Sequence, residues 1–268
     1  MQKLNESQIK ILKLLIEKNG NEIDVAEYSK ELGQSLSLVY RNFTLIASFL
    51  SRKQGNRKFL NFNDHVDRCM TNSNQKKLVA KHIVKNYIMN GQSLFIDCGT
   101  SCAVLSEEII KENFKNLQIH TNNPISLTDL FLDEVNSFDV FAVGGQMDKK
   151  DLAFCGENGF TAIQQMPKLS YVFIGIDRLA FDGSFHIKSR IEVLQKKELF
   201  KKGDTVVIIL DDSKIGDPIG YNIGSIDEML KENIKLKIII GKKKRNEING
   251  INILQKYIDK KIIEIVEG

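Results

Sequence analysis

The stretch Leu94-Phe95-Ile96-Asp97-Cys98-Gly99-Thr100-Ser101-Cys102, continued by Ala103-Val104-Leu105-Ser106-Glu107-Glu108-Ile109-Ile110, sets an apolar run, a small polar turn and an amphipathic run back to back. That order predicts a buried strand passing through a tight turn into a helix. Gly99 permits a sharp turn, and Thr100 and Ser101 offer hydroxyls and N–H groups where the helix macrodipole concentrates positive charge. The chemistry this allows is capture of an anion, a phosphate above all, with little need for a lysine. Whether the pocket catalyses or senses depends on the elements around it.

Those elements alternate. A helix from Gln75, carrying Leu78, Ile83, Val84 and Tyr87, stops at Asn90-Gly91. Strands follow at Leu94–Asp97, Leu117–Thr121, Phe138–Val143, Tyr171–Ile176, Thr205–Leu210 and Leu236–Ile240, with helices at Ser126–Leu132 and Arg190–Phe200. Near-continuous apolar strands separated by helices predict a Rossmann-like α/β domain, a mostly parallel sheet covered on both faces, and such sheets bind ligands outside the carboxyl ends of their strands. The expected strand ends are Asp97 to Ser101, Thr121-Asn122-Asn123, Gly144-Gly145, Gly175 to Arg178 and Asp211 to Lys214. Asp97 and Asp177 can accept from sugar hydroxyls, Asn122 can donate and accept, and Lys214 can neutralise an anion. The effector-binding candidates are therefore Asp97, Gly99, Thr100, Ser101, Thr121, Asn122, Gly144, Gly145, Asp177, Arg178 and Lys214.

Composition excludes several classes. No window approaches the roughly 18 apolar residues of a membrane span, and no signal peptide is visible, so a cytoplasmic protein is expected. Cys69, Cys98, Cys102 and Cys155 form no paired CxxC pattern, and the four histidines show no i, i+4 pair. No metal and no cofactor are expected; buried reduced thiols are the simplest account, with redox sensing at Cys98 and Cys102 the alternative.

Charge is placed unevenly. Residues 1–60 hold ten basic against six acidic side chains, which accounts for the whole formal net charge of +4. A basic head on a neutral body suits a nucleic-acid-binding module joined to a different domain. Ile9, Leu12, Leu15 and Ile16 mark a first helix, Asp24 caps a second ended by Gly33, and Leu36, Val39, Phe43, Ile46 and Leu50 line a third. Three helices followed by the basic turn Ser51 to Leu60 predict a winged helix-turn-helix over residues 1–60. Its DNA-binding candidates are Ser37, Tyr40, Arg41, Asn42 and Thr44 on the third helix, and Arg52, Lys53, Arg57 and Lys58 in the wing. Residues 61–74, rich in Asn and Asp, read as a linker, and 75–268 as the second domain.

These motifs, in this order, resemble the DeoR family of bacterial sugar-metabolism regulators. The resemblance rests on Phe95 to Ser101, Thr121-Asn122-Asn123, Val143-Gly144-Gly145, Gly156, Gly175-Ile176-Asp177, Glu192 with Lys196, and Leu210 to Gly216. It implies a winged helix-turn-helix joined to a ribose-phosphate-isomerase-like sensor domain that binds a phosphorylated sugar and alters operator affinity, most members being repressors of carbohydrate-utilisation operons. It also implies phosphate and sugar contacts from Asp97, Gly99, Thr100, Ser101 and Lys214. Two departures stand out. The family's paired arginines in the recognition helix are replaced by Tyr40-Arg41-Asn42-Phe43, and Arg178 takes the place of a small residue, where it narrows or recharges the expected pocket.

The expected partners are a double-stranded DNA operator, a phosphorylated sugar and further copies of the chain, as homodimer or homotetramer, with no membrane. Two alternatives are a sugar-phosphate isomerase on the same scaffold, and a sensor whose N-terminal module binds protein rather than DNA. The isomerase reading is weakened because Asp177 lacks a following acidic partner.

Overall fold

The computed structural model describes residue 30, 71–131, 133, 136–148, 151–243, 248 and 250–268. The chain divides into two units, Met1–Asp67 and Arg68–Gly268. The helix-turn-helix expectation, with every DNA-binding candidate from Ser37 to Lys58 and the linker through residue 70, lies outside the described residues.

The second unit is built on a seven-stranded parallel sheet. Its strands are β1 (Ser93–Ile96), β2 (Lys115–Thr121), β3 (Ser137–Ala142), β6 (Leu169–Gly175), β9 (Gly203–Asp211), β12 (Lys235–Lys242) and β13 (Ile263–Glu267), in the spatial order β13-β12-β9-β6-β1-β2-β3. Every pairing in it is parallel. Helices α1 (Ser73–Tyr87), α2 (Thr100–Lys111) and α3 (Pro124–Phe131) pack on one face, while α4 (Glu157–Gln165) and α5 (Val193–Leu199) contribute to the core on the other.

The strand sequences explain why both faces are covered. Phe95, Val172, Val206 and Leu236 are cross-strand neighbours and all join the core on the α4–α5 side. One residue on, Ile96, Phe173 and Val207 pair in the same way and join the core under α1 and α2. Side chains alternate along a strand, so an unbroken apolar run supplies both cores at once.

Two smaller sheets leave no trace in the sequence pattern. A four-stranded sheet runs β10 (Ile215–Gly216), β7 (Arg178–Ala180), β8 (Ser184–Ile187), β11 (Tyr221–Ser225), and β4 (Gln146–Asp148) pairs with β5 (Ala153–Cys155) as a hairpin. Strands of two to five residues carry too few positions to show a period. Helices α6 (Ile226–Lys231) and α7 (Gln255–Asp259) complete the described α-helices. The expected helix over Arg190–Phe200 is split: Arg190–Glu192 forms a 3-10 turn before α5, and the tighter winding goes with an inward Glu192, only 5% exposed.

The order of the strands places the site. From β1 the chain steps outward through β2 to β3, then returns to the opposite side of β1 at β6 and continues outward through β9 and β12. The crevice beyond the carboxyl ends of β1 and β6 is therefore the topological switch point, where open parallel sheets bind ligands. Among the described residues no helix is long and apolar enough to cross a membrane.

Candidate effector site

A cavity of about 170 Å³ opens at the switch point, lined by residues at or just beyond the ends of β1, β6 and β9. From β1 come Cys98, Gly99, Thr100 and Ser101; from β6, Gly175, Ile176 and Asp177; from β9, Asp211, Ser213 and Lys214. Glu192 and Lys196 close the floor, and Asp151 stands at the wall.

Gly99 is the N-cap of α2 at φ 101°, a backbone conformation that L side chains avoid, and it brings no side chain to cap the helix. The first-turn N–H groups of an α-helix have no intrahelical acceptor. Beside them the Ser101 hydroxyl is buried with no hydrogen-bond partner. A buried hydroxyl at an uncapped helix N-terminus is costly unless an acceptor arrives.

Beneath the turn lies a buried ionic cluster. Lys196, 3% exposed, pairs with Asp97, 0% exposed, and lies 3.3 Å from Glu192 Oε2. Its ammonium also donates to the Gly175 carbonyl at 3.0 Å. Asp97 Oδ2 in turn accepts the Gly175 N–H at 3.2 Å, which ties the ends of β1 and β6 together. Burial acts to lower the Lys196 pKa, but Asp97, Cys98 and Glu192 carry it well above its ordinary value. Burial pushes the Glu192 carboxyl up against the pull of Lys196. The Cys98 thiol donates to Glu192 Oε2 at 3.1 Å, and burial, reinforced by the Asp97 charge, holds it well above the ordinary range. Cys102 is pushed up to about 12, again mainly by burial. Both are protonated structural thiols at neutral pH.

Lys214 reaches across to donate to the Ile176 carbonyl at 2.7 Å, and burial lowers its pKa despite Asp211 and Asp177 nearby. Asp177 lines the cavity while its Oδ2 accepts the Lys188 N–H at 2.7 Å.

Of the eleven residues expected from sequence, Gly99, Thr100, Ser101, Asp177 and Lys214 line the cavity. Asp97 sits behind the wall: its Oδ2 is engaged by Lys196 and Gly175, so it organises the pocket rather than meeting a ligand through that atom. The other five lie off the cavity. For four of them the reason is topological: β2 and β3 stand on the far side of β1 from the switch point, so their ends miss it. Thr121 donates to the Ile96 carbonyl at 2.7 Å and Asn123 to the Gly99 carbonyl at 3.2 Å, which braces the anion turn from behind. Asn122 is buried and accepts the Phe154 N–H through its backbone carbonyl. Gly144 and Gly145 follow β3, and Gly145 serves close packing: a Cβ on it, at φ 143°, would lie 2.4 Å from the Cys155 carbonyl oxygen. Arg178, the fifth, does not narrow the cavity. Its guanidinium donates to the Ile215 carbonyl at 3.2 Å and so steadies the loop that bears Lys214.

Glu192 and Lys196 enter the sequence expectations only through the family match, outside the candidate site. Their i, i+4 spacing is the signal in the sequence that points to them. Among the described residues Asp148, Asp151 and Glu192 bring carboxylate oxygens within 4.8 Å of one another, but Glu192 is already answered by Lys196.

A model of the DeoR C terminal sensor domain matches residues 71–231. The glycerol-3-phosphate regulon repressor of Escherichia coli (strain K12) is 31% identical over 160 residues, 60% of this chain and 61% of that protein. Its counterpart from Haemophilus influenzae is 30% identical over 166 residues, 62% of each. The matched stretch thus spans about three fifths of the length of these relatives. Among solved structures, ribose 5 phosphate isomerase A from Neisseria gonorrhoeae superposes with a TM-score of 0.39 at 16% identity over 55% of each chain.

Proposed function

We propose, for a chain that belongs to the DeoR family by its sensor domain, that it is a DNA-binding transcriptional repressor whose operator affinity changes when a small phosphorylated polyol or sugar occupies the switch-point cavity. The observation that carries this reading is the buried, unpartnered Ser101 hydroxyl at the uncapped start of α2, facing a cavity that Lys214 also lines. A phosphate would accept from Ser101, from the first-turn N–H groups and from Lys214. Hydroxyls on the remainder of the ligand would meet Asp177 and Asp211.

The size of the cavity and the names of the matched relatives make glycerol 3-phosphate the first probe. DNA contact is assigned to Ser37, Tyr40, Arg41, Asn42 and Thr44 with the wing residues Arg52, Lys53, Arg57 and Lys58, on the basic excess of the N-terminal region. A homodimer or homotetramer is the assembly that would read repeated half-sites.

An isomerase needs a carboxylate base poised at a substrate carbon. Asp97 is engaged by Lys196, and Asp177 already accepts a backbone N–H, which supports sensing over catalysis. The test is calorimetric titration of the full chain with glycerol 3-phosphate and with unphosphorylated glycerol, alongside anisotropy on duplexes selected by the chain from a random pool. Binding of the phosphate ester alone, with a change in duplex affinity, is the expected result. Failure to select any duplex above non-specific affinity at low salt sinks the proposal.

A further inference from the structure

We infer that the first turn of α1 completes the effector cavity, with Lys76 as a binding residue for the anion and Asn72 as a positioning residue that ties occupancy to the segment leading back to the N-terminal unit. The inference rests on the sensing function proposed above and names how that same site is read out.

Thr71 and Lys76 line the cavity together with Ser101 and Lys214. Lys76 is buried, at 4% exposure, and its ammonium donates to the Thr71 carbonyl at 2.7 Å. Its place on the wall beside Ser101 and Lys214 sets a buried cation where an anion would sit. Thr71 follows Asp67, the last residue of the N-terminal unit, by four positions. The chain that enters the sensor domain therefore passes along the cavity wall before it becomes helix.

Asn72 shows that this turn is more than a helix start. It stands at the N-cap of α1 in the left-handed region, φ 52° and ψ 31°, where asparagine ordinarily accepts from an N–H of its own first turn. It makes no such cap. Instead its amide nitrogen donates across the domain to Asp211 Oδ1 at 2.8 Å and to Ser213 Oγ at 3.1 Å. Asp211 Oδ1 also accepts the Ser213 N–H at 3.1 Å and the Ser213 hydroxyl. One carboxylate oxygen thus gathers the end of β9, the loop that presents Lys214, and the entry to α1.

A serine hydroxyl has a single proton to give. In the structure it goes to Asp211; an anion in the cavity competes for it. Redirecting it removes one of three donors from Asp211 Oδ1 and changes what Asn72 is bonded to. Occupancy would then favour one arrangement of the α1 entry over another, which is the differential interaction that coupling between two sites requires.

The test uses the full chain and two readouts: affinity for glycerol 3-phosphate by calorimetry, and the change in affinity for a selected duplex when that probe is saturating. Asn72→Gly keeps the left-handed turn, which glycine adopts freely, and deletes only the latch. It should bind the probe within about threefold of wild type, while the probe-induced change in duplex affinity, roughly 5- to 150-fold in coupled regulators, falls below about twofold. Lys76→Met should weaken probe binding by roughly tenfold to a hundredfold, and Lys76→Arg should restore most of it. An Asn72→Gly protein with the wild-type response overturns the latch, and a Lys76→Met protein with wild-type affinity overturns the anchor, each leaving the proposed function in place. A wild-type chain that binds the probe with no effect on duplex affinity overturns the proposed function and the inference together.

Discussion

Replacing Lys196 by methionine should destabilise the sensor domain severely, and more so at high pH. The substitution keeps the stem and removes the ammonium that pairs with Asp97 and Glu192, carboxylates 0% and 5% exposed, and that donates to the Gly175 carbonyl. Removing one partner of a buried ion pair costs about 3–5 kcal/mol, because the remaining charge stays desolvated. With a urea slope of about 2.5 kcal/mol/M for a domain of this size, the midpoint should fall by about 1.2–2 M. Without the cation the Glu192 carboxyl, which burial already pushes up against the pull of Lys196, should titrate still further above its unfolded value. A carboxyl whose folded pKa is raised contributes its full stability below the unfolded value and loses it as pH climbs through the folded one. The deficit should therefore be smaller at pH 5 than at pH 8, by up to about 1.4 kcal/mol for every tenfold weakening of carboxyl acidity that falls in that window. The chain has no tryptophan, so far-UV circular dichroism is the suitable probe of unfolding. A deficit below about 1 kcal/mol at pH 8, or one larger at pH 5 than at pH 8, would refute the account of the cluster.

The neighbouring groups yield contrasting outcomes. Glu192→Gln should be within about 1 kcal/mol of wild type or more stable at pH 8, since Asp97 alone balances Lys196 and a desolvated charge is removed; urea titrations at pH 8 and pH 5 should show any gain vanish at the lower pH, and a loss above about 2 kcal/mol at pH 8 contradicts it. Ser101→Ala should leave thermal stability unchanged or slightly raised, because its hydroxyl has no partner, yet weaken glycerol 3-phosphate binding by roughly tenfold in calorimetry. Gly145→Ala should lower stability by about 2–4 kcal/mol in a urea titration, since the added carbon would sit 2.4 Å from the Cys155 carbonyl oxygen at a φ of 143°; a neutral result would show that the β3–β4 connection yields easily.

Legibility in the sequence depended on whether the physics was local. The turn from Ile96 to Ser101 was legible because an apolar run, a glycine and a hydroxyl pair adjoin one another, and strand, turn and helix all follow from neighbours. Strand order is not local. Thr121, Asn122, Gly144 and Gly145 looked equivalent to Asp177 and Lys214 because each follows an apolar strand, yet β2 and β3 lie beyond β1, away from the crevice. The burial of Lys196, a residue marked in the sequence only by the resemblance, was hidden for a related reason. In Gln195-Lys196-Lys197-Glu198 it reads as part of a solvated helix face, and only the packing of α5 beneath β1 and β6 buries it against Asp97. Arg178 was expected to recharge the pocket from its position beside Asp177, but a side chain at the start of β7 points to the carbonyls of the adjoining β10 connection instead.

The position of β1 between β2 and β6 also sets a timetable. β1 is complete at Ile96, but its second neighbour begins at Leu169, and the loop bearing Lys214 comes later still. At about 5–20 residues per second of synthesis, the interval from Ile96 to Lys214 is roughly 6–24 s, and for much of it β1 has an open edge and the ionic cluster lacks its cation. Asp97 is made long before Lys196 and must wait, hydrated, for it. On the proposed sensing role, an effector could be held only once synthesis has passed Lys214, so its binding would itself report that the sheet has closed around its first strand.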